Sequence, residues 1–554
     1  MSTAATTAGL PAAEFKLSRE AKFIIATAVL ASLLEIIDTS IVNVAIPTMM
    51  GNLGATQEDV SWVVIGYIIA NAIVLPLSAW LASQFGRRKY YITCIFLFTA
   101  TSVACGLAPN LTTLVIFRIF QGLAGGALLP TSQALIQEQF PREKAGTGSA
   151  IYGMSVMIGP TLGPTLGGYL TDHFGWRMIF NINLPLGLFA AFMAYLYVTE
   201  LNGASLKSMK ADKAAKEQAA KIRALSPAGS DSTINVPEKK KAVPIDGIGL
   251  ALLCVGIGCL QYVLERGEAD GWMESQAILI CTILATLAIP LFVWWELKTP
   301  NPIVEVRLFK IPVVRAGTIL MGMTGFMLYG LMFILPIFMG SLLHFDATQT
   351  GVMFIPGALV TAVCMPLAGK MLQKVDARVL ILWAIVMITL MFGMMTQFSA
   401  QSSATAIFWA MLVRGLAMAF LFVPINAVVL GAFRGKELGQ VAGLMNLLRQ
   451  VGGSIGIALI NTMLDRNSKQ NKLDLIARMT PFDIGVRASI PQTIDLRFMP
   501  QGYLRALEAR VDLQVFVMSF TQMAWVLLFV FLFALIPLAT LKPSKGLAVV
   551  ADAH

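Results

Sequence analysis

Residues Gly159 to Gly168 read G-P-T-L-G-P-T-L-G-G, a four-residue repeat inside an apolar stretch from about Ala150 to Leu170. Each internal proline removes a backbone donor and clashes with the preceding turn, so two at this spacing break most helices in water. In a bilayer such helices persist, because neighbouring helices and threonine hydroxyls satisfy the freed carbonyls. Glycines four apart leave a smooth face along which another backbone can approach. The stretch predicts a kinked, closely packed membrane helix in the wall of a molecule that opens and closes.

The rest of the 554 residues agrees. They are 56% hydrophobic and 13% charged, against about 25% charged for a soluble chain. An all-α polytopic membrane protein follows. The net charge of +10 sits in short Lys/Arg runs between apolar segments, as cytoplasmic loops require. That placement argues against nucleic acid as a partner. Cys94, Cys105, Cys254, Cys259, Cys281 and Cys364 fall in or beside apolar segments. They read as small buried hydrophobes rather than a disulfide or metal framework. No small-residue cleavage site follows the first apolar run, so the first helix is expected to stay as an anchor.

A spanning helix needs roughly 20 mostly apolar residues. Fourteen segments qualify, centred near 34, 70, 99, 123, 158, 189, 254, 286, 327, 360, 388, 417, 450 and 528. Lys16, Arg19 and Lys22 precede the first, Arg87, Arg88 and Lys89 follow the second, and Arg142 and Lys144 follow the fourth. Loops 48–59 and 106–111 carry no Lys or Arg. Both termini are therefore expected in the cytoplasm.

The expected organisation is an N-terminal six-helix half at 1–200, a basic loop at 201–244 and two additional helices at 245–298. A C-terminal six-helix half follows at 299–545, with an outer loop at 465–513, and then a tail at 546–554. The division rests on an internal repeat offset by about 290 residues. P-L-S-A-W-L-A-S-Q-F-G-R-R from Pro76 lines up with P-L-A-G-K-M-L-Q-K-V-D-A-R from Pro366. R-I-F-Q-G-L-A-G-G-A-L-L-P from Arg118 echoes R-G-L-A-M-A-F-L-F-V-P from Arg414, and Gly452, Gly453 and Gly456 echo the 159–168 glycines. Secondary transporters are built from such repeats, with binding near the midplane between them. The glycine stretch is expected to form a water-poor contact between the halves.

Glu35 and Asp38 lie in the middle of the first helix, in L-L-E-I-I-D-T-S-I-V-N-V-A-I-P, and share a face at i and i+3. An ionised acid at bilayer depth costs roughly 2.5–3.5 kcal/mol, so such residues face a cavity or a partner. That cost suits a group that takes up and releases a proton; a purely structural hydrogen-bond network is the alternative. Arg118 and Arg414 each lie on the fourth helix of their half. A guanidinium keeps its proton, so it tunes a carboxylate or binds an anion, unless it snorkels to the interface. Arg449, beside Asn446 and Gln450, reads equally as a hydrogen-bond clamp or a substrate contact. The 29 methionines and 32 phenylalanines could line an adaptable apolar pocket, although most are expected to pack or to face lipid.

Gly452 to Gly456 matches G-x-S-x-G, but a nucleophile elbow needs a strand and a histidine partner. Asn110-Leu111-Thr112 matches a glycosylation sequon in a loop too short to use it. The sequence has no zinc, P-loop or dinucleotide motif, so an enzyme is not expected. Uphill transport would draw on an ion gradient, with no cofactor and no metal.

At these residues the chain resembles the major facilitator superfamily over nearly its whole length. Within it, the resemblance is to the 14-helix drug:proton antiporters of the EmrB and QacA type, nearest the EmrB-like permeases of tripartite pumps. Gly159, Pro160, Gly163, Pro164, Gly167 and Gly168 resemble the antiporter motif. F-G-W-R-M-I-F-N-I-N-L-P-L-G, Phe174 to Gly187, is similar to a marker of the 14-helix group. D-T-S-I-V-N-V-A-I-P from Asp38 and R-I-F-Q-G from Arg118 resemble the first- and fourth-helix motifs linked to proton transfer. The loop motif keeps Gly86, Arg87 and Arg88 but has Ser83 and Gln84 where the family has aspartate and arginine. The charge lock that motif supplies is therefore partial here.

The resemblance implies a multi-pass protein of the bacterial inner membrane that exports hydrophobic or amphipathic drugs in exchange for protons. A membrane-fusion adaptor and an outer-membrane channel are the implied partners. Proton coupling is expected at Asp38, Glu35 and Arg118. A substrate cavity is expected at Asn43, Gln121, Tyr329, Arg414, Asn446 and Arg449. An exporter of a specific metabolite or siderophore, or a receptor that no longer transports, remains open at this point.

Overall fold

A computed structural model describes residues 17–198, 246–345, 347–399, 401–478 and 501–541. The Lys-rich stretch 201–245, the centre of the outer loop and the tail at 546–554 lie outside them. The first half contains α1 (Arg19–Leu53), α2 (Gln57–Phe85), α3 (Arg87–Gly106), α4 (Leu111–Gly125), α5 (Leu128–Glu138), α6 (Ala145–Phe174), α7 (Met178–Asn181) and α8 (Asn183–Tyr197). A hairpin of α9 (Gly247–Arg266) and α10 (Gln276–Lys298) follows. The second half contains α11 (Pro312–Leu343), α12 (Ala347–Met371), α13 (Ala377–Met395), α14 (Ala404–Gly431), α15 (Gly435–Arg478), α16 (Gln501–Leu532) and α17 (Leu535–Thr540).

Every one of the fourteen expected centres falls in a helix. Twelve helices among the described residues are long and apolar enough to cross a membrane. Outside that set are α3, diluted by Arg87, Arg88 and Lys89, and α6, diluted by its glycine, serine and threonine. Local chemistry sets several boundaries. The Ser18 hydroxyl caps α1, and Thr56 with Asp59 forms a capping box at the start of α2. The Asn110 side-chain Oδ1 caps α4 by accepting from the Thr113 amide. Gly54 ends α1 in the left-handed region at φ 60°, where only glycine sits without cost.

The helix α6 runs unbroken through Pro160 and Pro164. Its glycine face does not lie between the halves, as the sequence suggested. It packs on α1 within the first half: a Cβ at Gly159 would meet Ile36, one at Gly163 would meet Ser40 and one at Gly167 would meet Ile41. The echo repeats this inside the second half, where Gly452 and Gly456 seat on Gly322 and Phe326 of α11. The glycines let the partner helix approach, and that requirement is internal to each half.

The halves meet on other faces. Gly146 approaches Gly369 backbone to backbone, Gly153 approaches Met365 and Phe422, and Gly443 approaches Leu75. Polar side chains close the end of the bundle that carries Arg87 and Arg142. Gln133 Nε2 donates to Asn426 Oδ1 at 2.6 Å, and Asn446 Nδ2 donates to Gln133 Oε1 at 2.6 Å. Tyr152 Oη donates to Asn446 Oδ1 at 3.1 Å, and Arg434 reaches the carbonyl of Phe140 at 3.2 Å.

The outer loop expected at 465–513 is helical at both of its described ends. The 44 residues of α15 reach about 66 Å at 1.5 Å per residue, twice the hydrocarbon thickness of about 30 Å. Pairs such as Lys469–Asp465 at 2.6 Å and Lys472–Asp512 at 2.8 Å hold the extension. Asn471 Nδ2 also donates to Ser519 Oγ at 2.9 Å. Mixed charge at i and i+4 reads as loop in a hydropathy scan, yet it stabilises a solvated helix.

Candidate functional site

In the middle of the first half α1, α2, α4, α7 and α8 converge on Asp38, which is 0% exposed. Its Oδ2 pairs with Arg118 Nη1 at 2.6 Å. Its Oδ1 accepts from Gln121 Nε2 and from Asn183 Nδ2, both at 2.8 Å. Arg118 and Gln121 lie one turn apart on α4, so a single helix face supplies both donors. Arg118 also donates from Nε to the Val63 carbonyl at 3.0 Å and from Nη1 to Gln121 Oε1 at 2.9 Å. Its guanidinium lies 4.1 Å from the Tyr67 ring centroid and 5.8 Å from that of Phe180. Asn183 is held in turn, donating to Ser102 Oγ at 2.9 Å, and Ser102 donates to the Phe180 carbonyl.

Such a network is stable only while both charges remain. Removing one partner of a buried ion pair costs about 3–5 kcal/mol, because the other charge is left without compensation. A proton delivered to Asp38 does the same thing reversibly: it neutralises the acid and leaves Arg118 in search of another partner.

Glu35, 4% exposed, sits one turn away. Its Oε1 accepts from Asn71 Nδ2 at 3.0 Å and from Tyr67 Oη at 3.4 Å. Tyr67 therefore touches both acids' surroundings, with its hydroxyl on Glu35 and its ring face on Arg118. Arg449 lies within electrostatic reach of Glu35, Tyr152 and Tyr329. It is 2% exposed, and its Nε and Nη1 have no hydrogen-bond partner.

The other expected residues separate into distinct places. Gln121 belongs to the Asp38 network. Asn446 belongs to the polar clamp between the halves. Tyr329 is half-buried on α11 and packs against Gly453, near Arg449. Asn43 is exposed on α1 and takes no part in this network. Arg414, the echo of Arg118, is buried over the Phe354 ring at 5.4 Å, and its Nε has no partner. The position matching Asp38 in the second half is apolar or aromatic (Leu328, Tyr329), so the ion pair is not duplicated.

The loop residues serve the first half. Gly86 turns the chain at φ 84°, Arg87 pairs with Glu138 at 2.6 Å, and Arg88 holds the Tyr195 carbonyl and lies over its ring. Sequence reading missed Tyr67, Asn71, Asn183, Gln133, Tyr152 and Asn426. Asn71, Gln133 and Asn426 are amides inside apolar spans, and that signal was available. Among the described residues no group of three His, Cys, Asp or Glu side chains could hold a metal.

Residues 28–457 match the sequence profile of the Major Facilitator Superfamily. The chain is 30% identical to the "Multidrug export protein EmrB" of Escherichia coli K12 over 518 residues, which is 93% of this chain and 94% of that one. It is also 30% identical to the "Fatty acid resistance protein FarB" of Neisseria gonorrhoeae over 454 residues, 82% of each. Among solved structures, the human organic anion transporter MFSD10 superposes with a TM-score of 0.57 at 14% identity, covering 93% of this chain and 100% of that one. The proton:xylose symporter XylE gives 0.56 at 16% identity, covering 96% and 98%. Those two likenesses concern the fold.

Proposed function

This chain belongs to the Major Facilitator Superfamily, and from that premise we propose that it is a proton-coupled exporter of hydrophobic or amphipathic toxic compounds. All fourteen long helical segments span the membrane, both termini are cytoplasmic, and the Arg87 end of the bundle is the cytoplasmic one. The placement follows from the basic loops. The likeness to EmrB supports multidrug export as the activity and the bacterial inner membrane as the location. An adaptor partner would meet the far end, where α15 and α16 extend beyond the bilayer.

The observation that carries the reading is the fully buried Asp38–Arg118 pair, closed by Gln121 and Asn183 and neighboured by Glu35. With the cytoplasmic end clamped, a proton arriving from outside neutralises Asp38 and frees Arg118. The loss of the pair removes part of what holds the first half in its present arrangement. Return of Arg118 to the carboxylate drives the proton off on the other side. Glu35, through Tyr67, is the nearest second acceptor. Arg449 and Tyr329 face the space where a substrate would bind.

Asp38→Asn keeps the side-chain shape and a hydrogen-bonding oxygen but cannot cycle a proton. In a deletion strain the variant should be made and inserted at wild-type levels. It should lose at least about 100-fold in proton-driven uptake into everted vesicles, the order expected for a positioned proton-transfer group. Gradient-driven export at the wild-type rate by Asp38→Asn would overturn the assignment.

A further inference from the structure

Helix α9 carries a second polar face that the Asp38 network does not use. Gln261 and Glu265, one turn apart, lie toward α2 and α15. Glu265 Oε1 accepts from Ser454 Oγ of α15 at 2.7 Å, and the carboxylate has no cationic partner. The adjacent Arg266 is committed elsewhere, to Asp270 at 2.5 Å and to Ser61 of α2 at 3.3 Å. Gln261 is 0% exposed, and both its Oε1 and its Nε2 lack a hydrogen-bond partner. A half-buried acid without a countercharge, above a buried amide with nothing to bond, is costly for the protein alone. The pair is what a site looks like before its cation arrives.

Two further features define that cation. Tyr262, one turn before Glu265 on α9, stacks on Trp62 of α2 at 5.7 Å; ammonium groups bind well against aromatic faces. Along the same seam lies a cavity of about 170 Å³ lined by apolar residues, among them Pro76, Leu253, Gly256, Ile257, Leu447 and Leu448. Ile257 is eight residues before Glu265, about 12 Å along a helix, within reach of a medium-length alkyl chain.

We propose that the seam between α9, α2 and α15 binds an amphiphile with an ammonium head, the head at Glu265 and Gln261 and the tail in the apolar cavity. The inserted hairpin then has a recognition role of its own. Ser454 orients the carboxylate. The site is separate from Asp38, and equilibrium binding there does not require proton coupling.

The test is calorimetric titration of the full-length protein in lipid nanodiscs, with empty-nanodisc heats subtracted. Decyltrimethylammonium, decanol and ethyltrimethylammonium are the probes. Wild type should bind decyltrimethylammonium at least tenfold tighter than either other probe. Glu265→Gln should weaken the decyl cation at least tenfold and leave decanol unchanged, while Glu265→Asp should recover part of the loss. Val293 of α10 also lines the cavity, and Val293→Phe, which fills it, should erase the advantage of decyl over ethyl. Asp38→Asn should bind as wild type does, so loss of coupling and loss of this site are read separately. Unchanged binding of the decyl cation by Glu265→Gln overturns the proposal, as does an equal loss for decanol.

Discussion

At the scale of single residues, Asp38 is defined by what surrounds it more than by its own depth. Asn183 spends one amide hydrogen on Asp38 and another on Ser102, so it orients the acid without carrying charge. Asn183→Ala should lower stability by about 1–3 kcal/mol, the cost of leaving a buried polar group unpaired. It should slow proton-coupled efflux without abolishing it; thermal unfolding and vesicle transport assays read the two effects. Wild-type transport rates in that variant would mean that orientation of the acid is unimportant. The sequence exposed Asp38, Glu35 and Arg118 because charge stands out against an apolar background. It hid Tyr67 and Asn183, whose uncharged side chains stand out less than an acid or an arginine does. It also could not distinguish Gln121, which joins the ion pair, from Asn43, which does not, since both are amides on long apolar helices.

At the scale of elements, the glycine stretch was legible as a close-packing face, but its partner was not. A sequence shows that a backbone comes near, and only the fold shows whose. Gly163 seats on Ser40 of α1, so even alanine there needs the serine to move. Gly163→Ala should cost about 1–3 kcal/mol by overpacking, and Gly163→Leu should destabilise further and uncouple transport. Ser40→Gly in the Gly163→Ala background should restore most of the stability. An absence of rescue would mean that the contact between α1 and α6 is not what the motif protects. The outer extension was misread for the opposite reason: its charges concealed a helix. The α4–α5 break at Gly126 and Ala127, inside one expected span, was likewise invisible, because both pieces are apolar.

At the scale of the molecule, the polar clamp joins positions about 293 residues apart, such as Gln133 with Asn426, close to the offset of the sequence repeat. The two arginines aligned by the sequence repeat differ in chemistry: Arg118 has an acid and Arg414 has an aromatic ring. Breaking the clamp should shift the balance of states. In a background without the native cysteines, Asn446→Ala should speed labelling of a cysteine placed at Ser78 by a cytoplasmic thiol reagent several-fold. Equal labelling rates would show that closure does not depend on the clamp. The clamp's make-up also fixes how hard it is to open. Its side chain to side chain bonds join amides and a hydroxyl, and neutral hydrogen bonds contribute about 0.5–1.5 kcal/mol each. Gln133–Asn426, Asn446–Gln133 and Tyr152–Asn446 together hold about 3 kcal/mol. One proton crossing 100 mV releases about 2.3 kcal/mol. Under the proposed proton coupling, the work released by one or two protons is comparable to what these three bonds hold, so a gradient of ordinary size could open them.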